Sequence, residues 1–492
     1  MLQKLFARTF ELTFAGLIIA ALLSLASFFT PVAHLFIFFA IIAAVLGLGV
    51  WRFEVAFYIL LAELFAGSQG RSFSAVLGGF SFSLRMGLFA VLLLLWLVFR
   101  ARFDIRRAFR TPIGWWLLVL VLVICLGIVL GLAGGNNTKF LYLDVNGMLY
   151  ALGAVFFFSA IRSRDHIQNV LQILAASLAF SALFALVLFL FFSHGSQFVP
   201  EVYRWVRDTR MFEITGLGGR YYRIFSQTHI FAPIGALLFA SLYATALKKQ
   251  DRRRALLMMF LSVFLLVVSF SRSFLAAALM SLVVLLMALA KIFHWPTRKI
   301  IGFLVGVVIV IALNVGLLFG LAALIGKTSL TVSLSALEER TTDVSQPGVA
   351  SRYGLFLPLL KASLHQPILG SGWGTTITYQ TADPRIIASS GGLYTTFAFE
   401  WGYLDLLLKI GLLGLLVSIG IFTAFLVELR QLLRQSTHDS GLVVGFGLGI
   451  IALFLTHAFT PYLNHPTGIG FLLLVAAIFL VLRQRVHTIP PA

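Results

Sequence analysis

Outside its apolar runs this chain offers few groups that can do chemistry, and they fall in three short stretches. G-G-R-Y-Y-R-I-F-S-Q-T-H spans 218–229, S-R-Y-G-L-F with H-Q-P-I-L-G-S-G-W-G covers 351–356 and 365–374, and F-E-W-G-Y-L-D spans 399–405. The cations are Arg220, Arg223 and Arg352, and the lone carboxylate among them is Glu400. Guanidinium forks suit diphosphate oxygens because they make permanently charged, bidentate contacts. A carboxylate flanked by Phe399 and Trp401 is expected to be desolvated, with a raised pKa suited to a general base; the alternative is that Glu400 pairs with an arginine and holds a loop. Gly370 and Gly372 sit in a turn whose amides can face an anion or a sugar, or can simply make a turn. His229 opens an apolar run six residues after Arg223, either as a substrate contact or as a satisfied boundary histidine. Together these residues describe transfer from a lipid diphosphate, with arginines on the departing diphosphate and a carboxylate taking the proton of an attacking hydroxyl.

Several other chemistries lack their residues. No G-x-x-x-x-G-K-[ST] phosphate loop is present, so ATP-driven transport by this chain is not expected. The sequence has no H-E-x-x-H motif, and its single cysteine, Cys125, lies in an apolar run where a buried, inert thiol is expected. The outer loops hold no D-x-D pair for a divalent cation, which favours a mechanism without metal or cofactor. Glu63, Asp144, Asp405 and Lys409 lie in or near apolar runs, and Asp405 and Lys409 are spaced to pair on one helix face. His365, His457 and His465 read as boundary residues.

The elements that must position these groups are membrane helices. Hydrophobic residues make up 60% of the 492 positions, charged residues 11%, and mean hydropathy is +1.00. Soluble domains carry about 25% charged residues. Apolar runs long enough to span the hydrocarbon core number about fourteen, with the third, near 53–67, short. Basic residues recur in alternate connections: Lys4 and Arg8, Arg52, a run over 100–110, Arg162 and Arg164, K-K-Q-D-R-R-R at 248–254, Lys291 to Lys299, Arg430 and Arg434, and Arg483 and Arg485. That alternation predicts both termini inside and an even number of spans. It also accounts for most of the net charge of +19 without nucleic acid. The first apolar run reads as an uncleaved span rather than a signal peptide.

The chain divides into an N-terminal bundle (1–192), an arginine-rich outer loop (193–230), central helices (231–321), a large outer loop (322–399) and C-terminal helices (400–492). In the first loop Arg204, Arg207 and Arg210 are spaced for one face of a short interfacial helix, where they meet lipid phosphates or a substrate. In the second, a helix is expected over Ser351 to Leu364, placing Arg352 in its first turn against the helix dipole. Turn signals follow at Gln346 to Gly348, Asp383-Pro384 and Ser389 to Gly392.

Four segments in order resemble the O-antigen ligase and polymerase superfamily. R-I-F-S-Q-T-H-I-F-A-P (223–233) resembles its arginine-led middle helix, and V-V-S-F-S-R-S (267–273) its Ser-Arg step. S-R-Y-G-L-F with Q-P-I-L-G-S-G-W-G resembles the large periplasmic loop, and G-Y-L-D-L-L-L-K-I-G-L-L-G (402–414) the exit helix. The match covers roughly Arg220 to Leu416. The resemblance implies an all-α polytopic protein of the bacterial cytoplasmic membrane with a GT-C-type architecture and an active site facing outward. It implies a metal-independent, inverting glycosyltransferase that moves a glycan from a polyprenyl-diphosphate carrier to a glycan acceptor. Arg223 and Arg352 then match arginines on the donor diphosphate, with Arg220, His229, Arg272, Gly370, Gly372 and Tyr403 as substrate-binding positions. Ligases of the superfamily carry His-Asn where this chain has Glu400 and Trp401, which leans the expectation toward a polymerase, with a chain-length regulator as a further partner. A ligase acting on a lipid core and a transporter of lipid-linked sugars are the alternatives; the arginines lie at one membrane face and no repeat is visible, which disfavours the transporter.

Overall fold

The computed structural model describes residues 2–77, 80–99, 106, 109, 111–218, 220–326, 347–381, 384–435 and 439–484. Gly219, Gln346, Asp383, Arg485 and most of the basic run at 100–110 lie outside the described residues.

Runs of Leu, Ile, Val, Phe and Ala with no internal charge leave the backbone no water to bond, so they close on themselves as helices. The N-terminal part contains α1 (Arg8–Phe28), α2 (Pro31–Trp51), α3 (Phe53–Ala66), α4 (Leu84–Phe99), α5 (Pro112–Ala133), α6 (Thr138–Met148), α7 (Ala154–Ala160) and α8 (Arg164–His194). After α9 (Val199–Asp208) come α10 (Phe231–Thr245), α11 (Lys249–Ser269), α12 (Arg272–Lys291) and α13 (Thr297–Gly326). The last part holds α14 (Pro347–Ser363), α15 (Pro384–Ser390), α16 (Gly402–Gln435), α17 (Ser440–His457) and α18 (Pro466–Gln484). This is an all-α, multi-pass membrane protein. Among the described residues eleven helices are long and apolar enough to cross a membrane, counting α6 and α7 with the 3-10 turn between them as one. The other three of the expected spans fall short on their own sequence: α3 has 14 residues, α4 has 16, and α11 opens on K-Q-D-R-R-R.

The core is built around α10, α17 and α18, whose apolar windows are each 83% buried, while α1, α2 and α13 line the outside. Small residues let α10 and α17 approach closely: a side chain at Gly441 or Gly445 would collide with Thr245 or Leu238, and Ser241 Oγ donates to the Gly441 carbonyl at 2.8 Å. Cys125 departs from expectation. It sits within α5 but on an exposed flank, so the protein itself does not bury it.

Apart from the ion pairs buried inside the bundle, the polar connections gather at its two ends. At one end Arg162 pairs with Glu54 at 3.0 Å, Arg164 with Asp439, Arg483 with Glu428 at 2.7 Å, and Arg254 donates to the Leu2 and Gln3 carbonyls. At the other end the connections interlock: Trp205 Nε1 donates to Ser24 Oγ, Ser24 Oγ to the Ser72 carbonyl, and Tyr462 Oη to the Gln227 carbonyl at 2.9 Å. Among the described residues this second end carries three antiparallel strand pairs that the helical pattern does not announce: β1 (Ser74–Leu77) with β2 (Phe80–Ser83), β3 (Glu213–Gly218) with β4 (Tyr221–Phe225), and β5 (Ile377–Gln380) with β6 (Leu393–Thr396). A satellite core of Leu355, Leu359, Ile377, Tyr379 and Phe399 seats the large loop on Leu408 of α16.

The loop-bearing end is expected to face outward. In a Cys125→Ala background, Gln380→Cys should react with a membrane-impermeant maleimide in spheroplasts, whereas Arg253→Cys should react only after permeabilisation. The reverse pattern would overturn the orientation and with it the placement of the site.

Candidate functional site

α16 is broken at Gly411, whose φ of 64° and ψ of −161° leave the helix, so neighbouring backbone groups need partners from elsewhere. The large loop supplies them. The Leu412 amide donates to the Pro367 carbonyl at 2.7 Å, while the Leu408 and Lys409 carbonyls accept from Ser371 and Gly372 at 2.8 and 2.9 Å. Trp373 continues inward, donating from Nε1 to the Ile124 carbonyl and from its amide to the Gly127 carbonyl of α5, and is almost fully buried. The Gly374 amide donates to Asp144 at 2.8 Å, and Asn136 caps the Ser371 and Trp373 carbonyls. Gly372, at φ +80°, lies where any side chain would strike the backbone of Gly131. The expectation that Gly370 and Gly372 cradle a ligand meets a physical obstacle: the amides of residues 370–374 are all engaged by protein acceptors. The turn is a wedge in the bundle.

Below the wedge lies a buried ionic cluster. Lys409 Nζ contacts Asp144 and Asp405, each at 2.7 Å, and donates to the Phe397 carbonyl at 2.9 Å. Asn464 donates to the other oxygen of Asp405. The expected pairing of Asp405 with Lys409 is present, and Asp144 of α6 joins it. Glu63 is likewise paired, with Arg85 at 2.8 Å.

Arg352 and Glu400, far apart in sequence, meet as an ion pair in which Arg352 Nε donates to Glu400. Two details differ from expectation. α14 begins at Pro347, not Ser351, so Arg352 lies in the second turn and the dipole mismatch is absent. Nor is Glu400 desolvated by its neighbours, since its side chain is 49% exposed. Phe399 turns down into the satellite core, and Trp401 donates its Nε1 to the Arg352 carbonyl at 3.0 Å.

Arg223 stands apart from that pair. It donates from Nε to the Ser269 carbonyl at 2.7 Å, and its guanidinium lies 4.4 Å from the Phe225 ring centre. His229 stacks edge-on against Phe212 and Phe225; its Nδ1 accepts from the Ser226 amide, and its Nε2 is buried without a partner. Arg220 donates to the His194 carbonyl at the turn of the β3–β4 hairpin. Arg272 is exposed at the first turn of α12. Tyr403 is an expected substrate contact whose hydroxyl instead donates to the Phe454 carbonyl, with its ring against His457. His457 accepts from the Leu463 amide and His465 from Thr467, as boundary histidines do, and His365 is exposed.

The two groups flank one short connection, residues 458–465 between α17 and α18. On one side Phe459 packs on Trp401; on the other Tyr462 reaches Gln227 and stacks on Phe274, which in turn stacks on Phe225. Beside Phe225 opens a cavity of about 230 Å³ lined in part by Gln69, Arg207, Arg210, Glu213 and Gln227. Of these, Gln69, Glu213 and Gln227 escaped the sequence reading, because isolated polar residues in loops carry no spacing signal. Arg204, Arg207 and Arg210 do not share a helix face: α9 ends at Asp208, and Arg210 has left it with φ +53°.

Residues 257–419 match the family described as O-antigen ligase, taking in α12, the large loop, Arg352, Glu400 and the first half of α16 with its break at Gly411. No curated protein matches the chain.

Removing one partner of a buried ion pair leaves the others uncompensated, at a cost of about 3–5 kcal/mol. Lys409→Met, which strands Asp144 and Asp405 together, should therefore lower the thermal unfolding midpoint of the detergent-solubilised protein much more than Arg352→Met at the half-exposed pair. Equal shifts would show that the cluster does not hold the wedge.

Proposed function

We propose that this chain, which carries an O-antigen ligase domain over residues 257–419, joins lipid-linked glycan units into a polysaccharide at the outer face of the cytoplasmic membrane. The observation that carries this reading is the Arg352–Glu400 pair, held at the edge of the bundle by α14 and the start of α16. The donor is a glycan on a polyprenyl diphosphate. Its diphosphate displaces Glu400 from Arg352, because a guanidinium binds a diphosphate dianion more strongly than a half-exposed carboxylate. The released carboxylate then accepts the proton of an acceptor hydroxyl. As that oxygen bonds to the anomeric carbon from the face opposite the diphosphate, the bond to the phosphate oxygen breaks and its electrons leave with the diphosphate, inverting the centre. Arg223 and Arg220 serve the donor from the β3–β4 side of the 458–465 connection, and no metal takes part in the step.

The matched family's description favours a second reading, in which the acceptor is a lipid core and the chain is a ligase. A third, transport, draws on the break in α16, since broken helices line transporter sites; here the gap is filled by the chain's own backbone.

With a lipid-diphosphate glycan and purified protein, Glu400→Gln should slow transfer by about 10²–10⁴-fold while donor affinity is kept or raised, since the carboxylate that competes for Arg352 is gone. Arg352→Lys retains a charge but not the fork, and should lose on the order of 30- to 1,000-fold in rate. Wild-type turnover in both variants would remove the pair from the reaction. Products that lengthen on the lipid carrier support a polymerase; products found only on an added lipid-core acceptor support the ligase.

A further inference from the structure

Helix α14 of the large loop is apolar on both of its sides. Leu355 and Leu359 turn inward to the satellite core, with Ala362 packed beside them. Tyr353, Phe356, Leu357, Leu360 and Leu364 follow at i, i+3, i+4, i+7 and i+11, the spacing of a single stripe along the other side. Leu364 stays on that stripe because its amide still reaches the Leu360 carbonyl at 3.2 Å. Leu357 is 54% and Leu364 62% exposed, and Tyr353 is more exposed still. Single exposed apolar side chains are ordinary on a protein surface, but a row of them along three helical turns has to be covered. Lys361 stands at the margin of the stripe, where its long chain can carry the ammonium away from an apolar phase.

Where the stripe leads identifies its cover. Beyond Leu364 come Ile368 and Leu369, 69% and 45% exposed. The carbonyls of Pro367 and Ile368 accept from the Leu412 and Leu413 amides just past the break in α16, so this turn lies at the level of that break. The same turn carries Trp373, whose amide meets the Gly127 carbonyl, and Gly127 lies six residues short of the end of α5 at Ala133. At 1.5 Å per residue that is about 9 Å inside the end of a helix about 33 Å long, close to the thickness of the hydrocarbon core. Ile368 and Leu369 therefore stand beside the lipid-facing flank of α16, where Leu412 and Leu416 are each 50% exposed. At the other end of the stripe Phe356 packs edge-on against Trp401, and Trp401 lies against the half-exposed Phe459. With Tyr353, the Trp401 indole has the character of an aromatic belt between hydrocarbon and water.

We infer that the outward side of α14 is seated in lipid, in the leaflet at the loop-bearing end, with Leu357 and Leu364 among acyl chains and Tyr353 and Trp401 at the headgroups. Arg352, one turn before Phe356, then lies at headgroup depth, where a phosphate carried on a lipid meets it without first crossing water. The use of that phosphate as a leaving group rests on the transferase reading above. The lipid contact rests neither on that reading nor on which way the protein faces.

For the test, full-length protein carrying Cys125→Ala is spin-labelled at Leu357→Cys, Leu364→Cys, Leu416→Cys or the exposed Gln380→Cys and reconstituted in vesicles of phosphatidylethanolamine and phosphatidylglycerol. Collisions are measured with oxygen, which concentrates in lipid, and with a nickel chelate, which stays in water. The oxygen-to-nickel ratio at Leu357→Cys and Leu364→Cys should match that at Leu416→Cys and lie several-fold above that at Gln380→Cys. Nickel-dominated collisions at the two α14 positions overturn the inference, because water then covers the stripe. Low collision with both reagents overturns it too, because the cover is then protein, either a second copy or another part of this chain. A second measurement needs no substitution: in vesicles of wild-type protein, a carbene generated from a lipid-dissolved diazirine should label the tryptic peptide Tyr353–Lys361. Photolysis that labels α16 and leaves that peptide unmarked overturns the inference even where a cysteine variant fails to fold. Lipid contact at α14 together with wild-type transfer in Glu400→Gln and Arg352→Lys would sink the transferase reading alone.

Discussion

Lys409 organises this molecule. A lysine buried at 2% exposure within the bundle is tolerable only when its charge is met, and the partners come from different parts of the chain: Asp405 of its own helix as an ion pair, and Asp144 of α6 and the Phe397 carbonyl at the end of the large loop as hydrogen-bond acceptors. One ammonium thereby fixes the N-terminal half, the exit helix and the large loop relative to one another. Asp144 then spends its second oxygen on the Gly374 amide, and Asp405 its second on Asn464 of the 458–465 connection. On the far side of each carboxylate the partner is a neutral donor, not a second cation.

From that anchor the position of the reactive groups follows. Glu400 lies five residues before Asp405 and just past the satellite core that seats Phe399, so its backbone is held while its side chain stays half-exposed. Arg352 reaches it from a helix pinned by Leu355 and Leu359 to the same core. Rigid backbone under an exposed ion pair suits a site that must exchange one anion for another without rebuilding itself. The separate Arg223 and His229 group is placed by the β3–β4 hairpin and α10, with Tyr462 of the 458–465 connection reaching Gln227 and Phe274 beside it.

The helices were legible because about 20 apolar residues in a row have few other ways to satisfy their backbones. The Asp405–Lys409 contact was legible too, being a local i, i+4 relation. Asp144 was not, since 265 residues separate it from its partner and no local pattern links them. The hairpins were missed because four- to six-residue strands between glycines and charged residues give too short a window to show alternation. Arg352 and Glu400 were grouped by their chemistry, yet their mutual pairing was only one of two readings, because sequence does not record which guanidinium a carboxylate faces. The Gly370 to Gly374 turn shows the same limit: glycines mark where backbone comes close, and only the fold shows whether it approaches a ligand or another helix.

The wedge at Gly411 also bears on the order in which the protein can be assembled. Before the break, α16 offers only the nine residues Gly402–Ile410, too short to cross a bilayer alone, and one of them is Lys409. This half-helix reaches its final depth only when Trp373 has docked on the Ile124 and Gly127 carbonyls and Asp144 has met the ammonium. Those partners are synthesised some 230 to 265 residues earlier. They must wait in the membrane, with Asp144 and the groove beside α5 open, until the last third of the chain emerges from the ribosome. Biogenesis is therefore strictly sequential at this point: the early helices form a receptacle, and the late loop closes it.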